Sequence, residues 1–189
     1  MRVLFAALSL ALFPLSTVAE TIEINYTYND EVSVDFSDLP RGPLRVAEFS
    51  DARRGVEPTE ITADNLGNSE ISGGYQADRP LADIIRDALV QGLAKGGASL
   101  VDADENLRLE GGLSDSNVQL VERDGQQSIQ LTLRASVSLQ GGGRTLWETV
   151  LFGRGTALVS EGIEPALNEA LDRMVRGLIR DDYFLIEVL

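Results

Sequence analysis

The chain has no cysteine and no histidine among its 189 residues. Without cysteine there is no thiol nucleophile, no thiolate metal ligand and no disulfide, so stability must come from packing. Without histidine there is no imidazole zinc site, no Ser-His-Asp triad and no histidine acid–base group. Lysine is almost missing too, Lys95 standing alone among 16 basic residues. The arginines are scattered, Arg53-Arg54 being the one adjacent pair, and the net charge is −14. That balance repels phosphate backbones and anionic lipid, which argues against nucleic acid as a partner and against electrostatic docking on a membrane. Beyond Phe13 no stretch is apolar enough to span a bilayer, which takes about 20 residues.

What is present begins with a leader. Arg2 supplies a short positive start, Val3 to Phe13 is almost wholly apolar, and Thr17-Val18-Ala19 are small residues before Glu20. This is the layout of a secretory signal peptide over residues 1–19. The competing reading is an uncleaved anchor, for which the apolar run is short and is interrupted by Pro14. Removal of the leader takes away Arg2 and no acid, leaving 15 basic against 30 acidic residues. The expectation is an exported, periplasmic protein that, lacking cysteine, carries no lipid anchor at the usual site.

The most regular stretch is Ser128 to Leu139, where Ile129, Leu131, Leu133, Ala135, Val137 and Leu139 alternate with polar residues. A period of two marks an antiparallel strand with one face buried and one wet. Its neighbours repeat the habit, from Leu107 to Val121 and from about Arg144 to Val159. Turns are expected at Asp124-Gly125 and Gly141-Gly142-Gly143. Both faces of the last strand are apolar, Trp147, Leu151 and Gly153 against Leu146, Val150 and Phe152, which reads as a central strand or one with a covered face.

Two amphipathic helices flank this meander. The first carries Leu81, Ile84, Ile85, Ala88, Leu89 and Leu93 on one face, with Asp78 as cap, Pro80 in the first turn and Gly96-Gly97 as its end. A short strand over Ala98–Val101 should follow. The second helix opens near Ser160, takes Pro165 early and carries Ile163, Leu167, Ala170, Leu171, Met174, Leu178 and Ile179 on one face. Upstream, Thr21–Tyr28 and Val32–Phe36 alternate as short strands, and Pro40-Arg41-Gly42-Pro43 closes off an N-terminal β arm or hairpin over residues 20–43. Leu44 to Phe49 is a strand, and residues 50–78 form a long polar loop with a small hairpin near Ile71. The closing YFLIEVL, Tyr183 to Leu189, is apolar on too many sides for a free tail. It either pairs as an edge strand or docks on a partner, with packing on its own chain preferred.

The fold class is therefore α+β. An antiparallel β-meander carries two helices on one face, in the order β-α-β-β-β-β-α, as a single domain over residues 44–189. Chemical motifs are scarce. Asp102 to Asn106 resembles a calcium loop but has Leu107 and Leu113 where an EF-hand needs glycine and an acid. The triple glycine joins two strands and cradles no phosphate. No catalytic, cofactor-binding or metal-ligating residue can be assigned. Acidic neighbours at Asp181-Asp182, Asp102-Asp104 and Glu161-Glu164 leave a carboxylate glycan hydrolase as an alternative. A lipid or small-molecule carrier is another, hinted at by Trp147, Phe152 and Tyr183. The leading reading is a non-catalytic module with Tyr26, Tyr28, Trp147, Tyr183, Phe184 and Ile186 as contact residues. Its partner would be an envelope protein or component, or further copies of the chain joined through sheet edges.

The segments PLADIIRDALVQGLAKGGASLV (80–101), LRLEGGLSDSNVQL (107–120) and GRGTALVSEGIEPALNEALDRMVRGLIRDD (153–182) give this chain a resemblance to the YajG-type envelope lipoproteins. More loosely it resembles the LptE-like outer-membrane assembly proteins. The resemblance covers roughly Leu44 to Asp182 and implies an exported bacterial protein with two helices on an antiparallel sheet and no known reaction. The acylated cysteine of that family is absent here, which implies a periplasmic protein without the anchor.

Overall fold

A computed structural model describes residues 19–63, 66, 73–123 and 125–189. The leader assigned to 1–19 lies outside them except for Ala19, as do Ile71 and Asp124 of the two expected turns. In chain order the elements are β1 (Glu20–Ile22), β2 (Leu44–Val46), β3 (Ser50–Asp51), β4 (Glu60–Ile61), β5 (Tyr75–Ala77), α1 (Leu81–Lys95), β6 (Leu107–Arg123), β7 (Gln126–Gly141), β8 (Arg144–Leu158), a 3-10 turn (Val159–Glu161), α2 (Glu164–Ile179) and α3 (Asp182–Val188).

The meander stands as the alternation demands. β7 pairs antiparallel with β6 on one side and β8 on the other, from Leu107↔Gly141 to Arg123↔Gln126 and from Ser128↔Leu158 to Gly141↔Arg144. All six apolar positions of β7 from Ile129 to Leu139 are at most 2% exposed. Gly142 and Gly143 take φ of +57° and +76°, the left-handed pair that a two-residue hairpin between right-twisted strands requires. The sheet order is β2-β6-β7-β8, with β3 also on β6. β2 and β3 pair parallel with β6, so the sheet is antiparallel only in its long strands.

The expectation of a central β8 is corrected: β8 is an edge, with β7 its one neighbour among the described residues. One face lies under α2, and on the other Val150 and Phe152 are exposed. α2 approaches this strand very closely. A Cβ at Gly155 would stand 1.8 Å from the Ala166 carbonyl oxygen, and one at Gly153 would stand 2.4 Å from that of Ala170. Two glycines spaced by two thus let a helix backbone rest on a strand, and Ala166, Leu167, Ala170, Leu171 and Met174 are fully buried there. α1 lies beside α2 on the same side of the sheet.

Other expectations change in detail. Asp78 does not cap α1; its carboxylate accepts from the Ile24 amide at 3.2 Å, and Pro80 occupies the cap position. Ala98–Val101 contributes only a bridge, Leu100 to Leu44. The described residues of the loop at 50–78 hold more regular structure than their polarity suggests, since β4 and β5 pair antiparallel and β5 also pairs parallel with β1. Arg53 holds it. Its side chain is 4% exposed and donates to both Asp51 oxygens, to Ser116 Oγ at 2.6 Å and to the Glu57, Pro58 and Glu60 carbonyls.

The N-terminal arm forms strand only at β1. Beyond Ile22 its alternation is met by helices rather than by a neighbouring strand. Gln91 of α1 accepts from the Tyr28 amide and donates to the Tyr26 carbonyl, while Lys95 donates to the Tyr28 carbonyl. The Phe36 amide donates to Gly96 O at 2.7 Å. These bonds replace the ladder that a hairpin would have supplied.

The expected closing edge strand is also corrected, because Tyr183 to Val188 belongs to α3. Asp181 Oδ1 accepts from the Phe184 amide at 2.9 Å, an N-cap that starts a helix in a stretch whose composition reads as β. Phe184 and Val188, four apart, then fall on one buried face.

Candidate contact surfaces

The six residues grouped from the sequence separate into two sets. Tyr28, Trp147 and Phe184 are 3%, 7% and 0% exposed and belong to this chain's own core. Trp147 comes from β8 and Phe184 from α3, with ring centroids 5.1 Å apart. The Trp147 Nε1 donates to Asp181 Oδ1 at 3.1 Å, the same oxygen that caps α3. One carboxylate therefore ties strand, ring and helix together. Tyr26 is half-buried and donates its hydroxyl to Asp172 Oδ1 at 2.7 Å. Tyr183 and Ile186 are 76% and 68% exposed on the opposite side of α3.

Electrostatics concentrate where the arm meets α2. Burial, reinforced by the bond to Asp172 and its charge, pushes the Tyr26 hydroxyl far above its ordinary range. Burial also raises Asp172, outweighing the Tyr26 bond that stabilises its anion. Arg176 pairs with Asp30 beside them. The Tyr28 hydroxyl is raised by burial and by Asp30, and it has no hydrogen-bond partner among the described residues. These groups fasten the arm to α2.

The carboxylates of the hydrolase alternative are spread out. Asp181 is the double acceptor just described, Glu161 accepts from the Leu158 amide at 3.0 Å, and Asp102 and Asp104 are exposed in a turn. Among the described residues no group of three or more Asp and Glu is placed to hold a metal ion. Trp147 and Phe152 sit on opposite faces of β8, so the three residues of the carrier alternative do not line one space.

Sequence reasoning expected a wet face on the meander and contact through sheet edges, but placed none of its six contact residues on the wet side of β8, where Val150 and Phe152 are exposed. A shallow depression of about 610 Å³ lies there, lined by Ser50, Glu110, Gly112, Ser136, Glu148 and Val150. Next to it Phe152 lies between two guanidinium groups, Arg134 and Arg154, at 5.1 and 5.2 Å from its ring centroid. The signal was the doubly apolar β8, which reads equally well as a central strand.

No protein-family model matches the chain, and no curated protein does. Among solved structures the chain is similar in fold to a Xanthomonas campestris protein of the DUF330 family. The TM-score is 0.62 at 14% identity, over 84% of this chain and 92% of that one. A minor lipoprotein from Acinetobacter baumannii aligns at TM-score 0.40 and 13% identity, over 53% and 84% of the two chains. A Caulobacter crescentus protein described as a lipoprotein aligns at 0.38 and 11%, over 56% and 82%. At these identities the likeness is one of fold: long antiparallel strands carrying helices, shared with a DUF330 protein.

Proposed function

We propose that this chain is a non-catalytic accessory protein of the bacterial cell envelope, exported to the periplasm, that works by holding another envelope protein through the outer side of α3. The leader layout of residues 1–19 and the YajG-type resemblance support the envelope setting. The observation that carries the contact reading is α3 itself. Its inner side, Phe184 and Val188, is fixed in the core, yet Tyr183 and Ile186 stand in solvent on the other side. Large apolar side chains side by side on a rigid short helix gain by being covered, and an aromatic with a polar tip suits a partner surface.

The test is site-specific photo-crosslinking in the producing cell. A crosslinking residue at position 183 or 186 is expected to give one discrete adduct in the envelope fraction. The same residue at position 104, in the exposed turn, should give none. The proposal fails if no adduct forms at either helix position, or if position 104 labels equally. Recovery of the protein in the cytoplasm alone would also overturn it.

A further inference from the structure

We infer that β8 is the seam of a homodimer, pairing antiparallel with β8 of a second copy about a twofold axis at Leu151. This goes beyond the α3 reading and rests on a different element. The Thr156 and Leu158 amides turn away from β7, since they donate to Glu169 and Glu161 carboxylates at 2.9 and 3.0 Å. Register is unbroken from Trp147 to Leu158, so by ladder alternation the Glu148, Val150, Phe152 and Arg154 backbone groups turn the same way. Nothing among the described residues pairs with them. The two carboxylates cover the far end of the edge and leave this central part open.

The side chains of the open part are complementary to themselves when the strand is reversed. The outward series is Glu148, Val150, Phe152, Arg154: acid, apolar, apolar, base. Rotation about Leu151 sets Glu148 opposite Arg154 of the second copy and Val150 opposite its Phe152. The backbone-outward residues then meet one another, as an antiparallel ladder requires. An axis at Thr149 would set Glu148 against Val150, and an axis at Val150 would set Glu148 against Phe152, so of the three Leu151 alone matches both charge and apolarity. Neither Glu148 nor Arg154 has an ion-pair partner among the described residues; their neighbours across β7 are Ser138 and Thr132. Edge charges ordinarily discourage pairing, but here their order selects one partner and one register.

The test is sedimentation velocity on the protein expressed from its full coding sequence, over a wide concentration range. Wild type should dimerise. Glu148→Arg alone and Arg154→Glu alone each place like charges face to face twice per dimer and should weaken it at least about tenfold. Mixing these two variants restores opposite charges at every site, so the mixture should form a heterodimer. Val150→Asp, at an exposed position, should weaken the dimer independently. Circular dichroism checks that each variant is folded. A wild type that stays monomeric throughout overturns the inference. So do single variants that dimerise like wild type, or a mixture of the two that yields no heterodimer.

Discussion

Gly155→Ala should destabilise the protein by about 3 kcal/mol, the upper part of the range for overfilling a well-packed core. The added methyl would meet the Ala166 carbonyl oxygen at 1.8 Å, where 3.0 Å is a practical floor, and that oxygen belongs to a helix backbone that cannot swing aside. Strand and helix must therefore part by more than an ångström. A radial gap of about 1 Å forfeits up to roughly half of each dispersion contact along the seam. Urea unfolding followed by the fluorescence of Trp147, the single tryptophan, reports on the same strand. The melting temperature should fall by about 6–12 °C for a chain of this size. Gly177→Ala is the control: it lies inside α2, and its Cβ would meet Leu151 at an ordinary 3.6 Å. Helix propensity should make that change stabilising by about 0.5–1 kcal/mol. A Gly155→Ala loss below 1 kcal/mol, or equal effects of the two substitutions, would refute the close-approach argument.

Two further expectations concern buried charge. Arg53→Ala takes the guanidinium from Asp51, Ser116 and three carbonyls, leaving Asp51 only the backbone amide of residue 53, and should cost about 3 kcal/mol, as for other pairs broken from one side; proteolysis within residues 50–61 should rise with it, and unchanged cleavage would count against the role of Arg53 as organiser. Asp172 has a raised pKa, so the fold prefers its protonated form. That contribution is complete below the ordinary carboxylate pKa and is lost as pH rises through the raised value. Asp172→Asn still accepts from Tyr26 and cannot ionise, so it should match wild type in acid and gain on it as pH rises through that window. Denaturation at a series of pH values reads this, with Asp30, Arg176 and Glu169 as the neighbouring charges, and a difference independent of pH would contradict it.

The parts legible in the sequence are those whose partner is implied by their own period. β7 shows its buried side at every second residue because sheet neighbours on both sides leave two distinct faces. α1 and α2 are long enough for a 3.6-residue stripe to stand out. α3 spans seven residues with apolar groups all round, so period is silent, and the Asp181 cap that decides the matter is a single residue. The arm alternates like a strand because Tyr26 and Tyr28 face helices rather than a ladder. Arg53 carries no local sign of its role, since its partners are scattered from Asp51 to Ser116. Among the candidate contact residues, Tyr183 and Ile186 could not be told from Phe184, because only the docking of α3 on Trp147 sorts inside from outside.

The strap formed by Tyr26 and Asp30 reaches Asp172 and Arg176, each 146 residues away. Closing so wide a loop costs roughly 4–5 kcal/mol of chain entropy beyond the constant part, so these bonds come after the sheet and helices have shortened the path. The piece synthesised first is thus seated last. Until α2 has formed, the arm is held only from the near part of the chain, by β5 and by Gln91, Lys95 and Gly96 at the end of α1, and the clasp across the helix layer is still open.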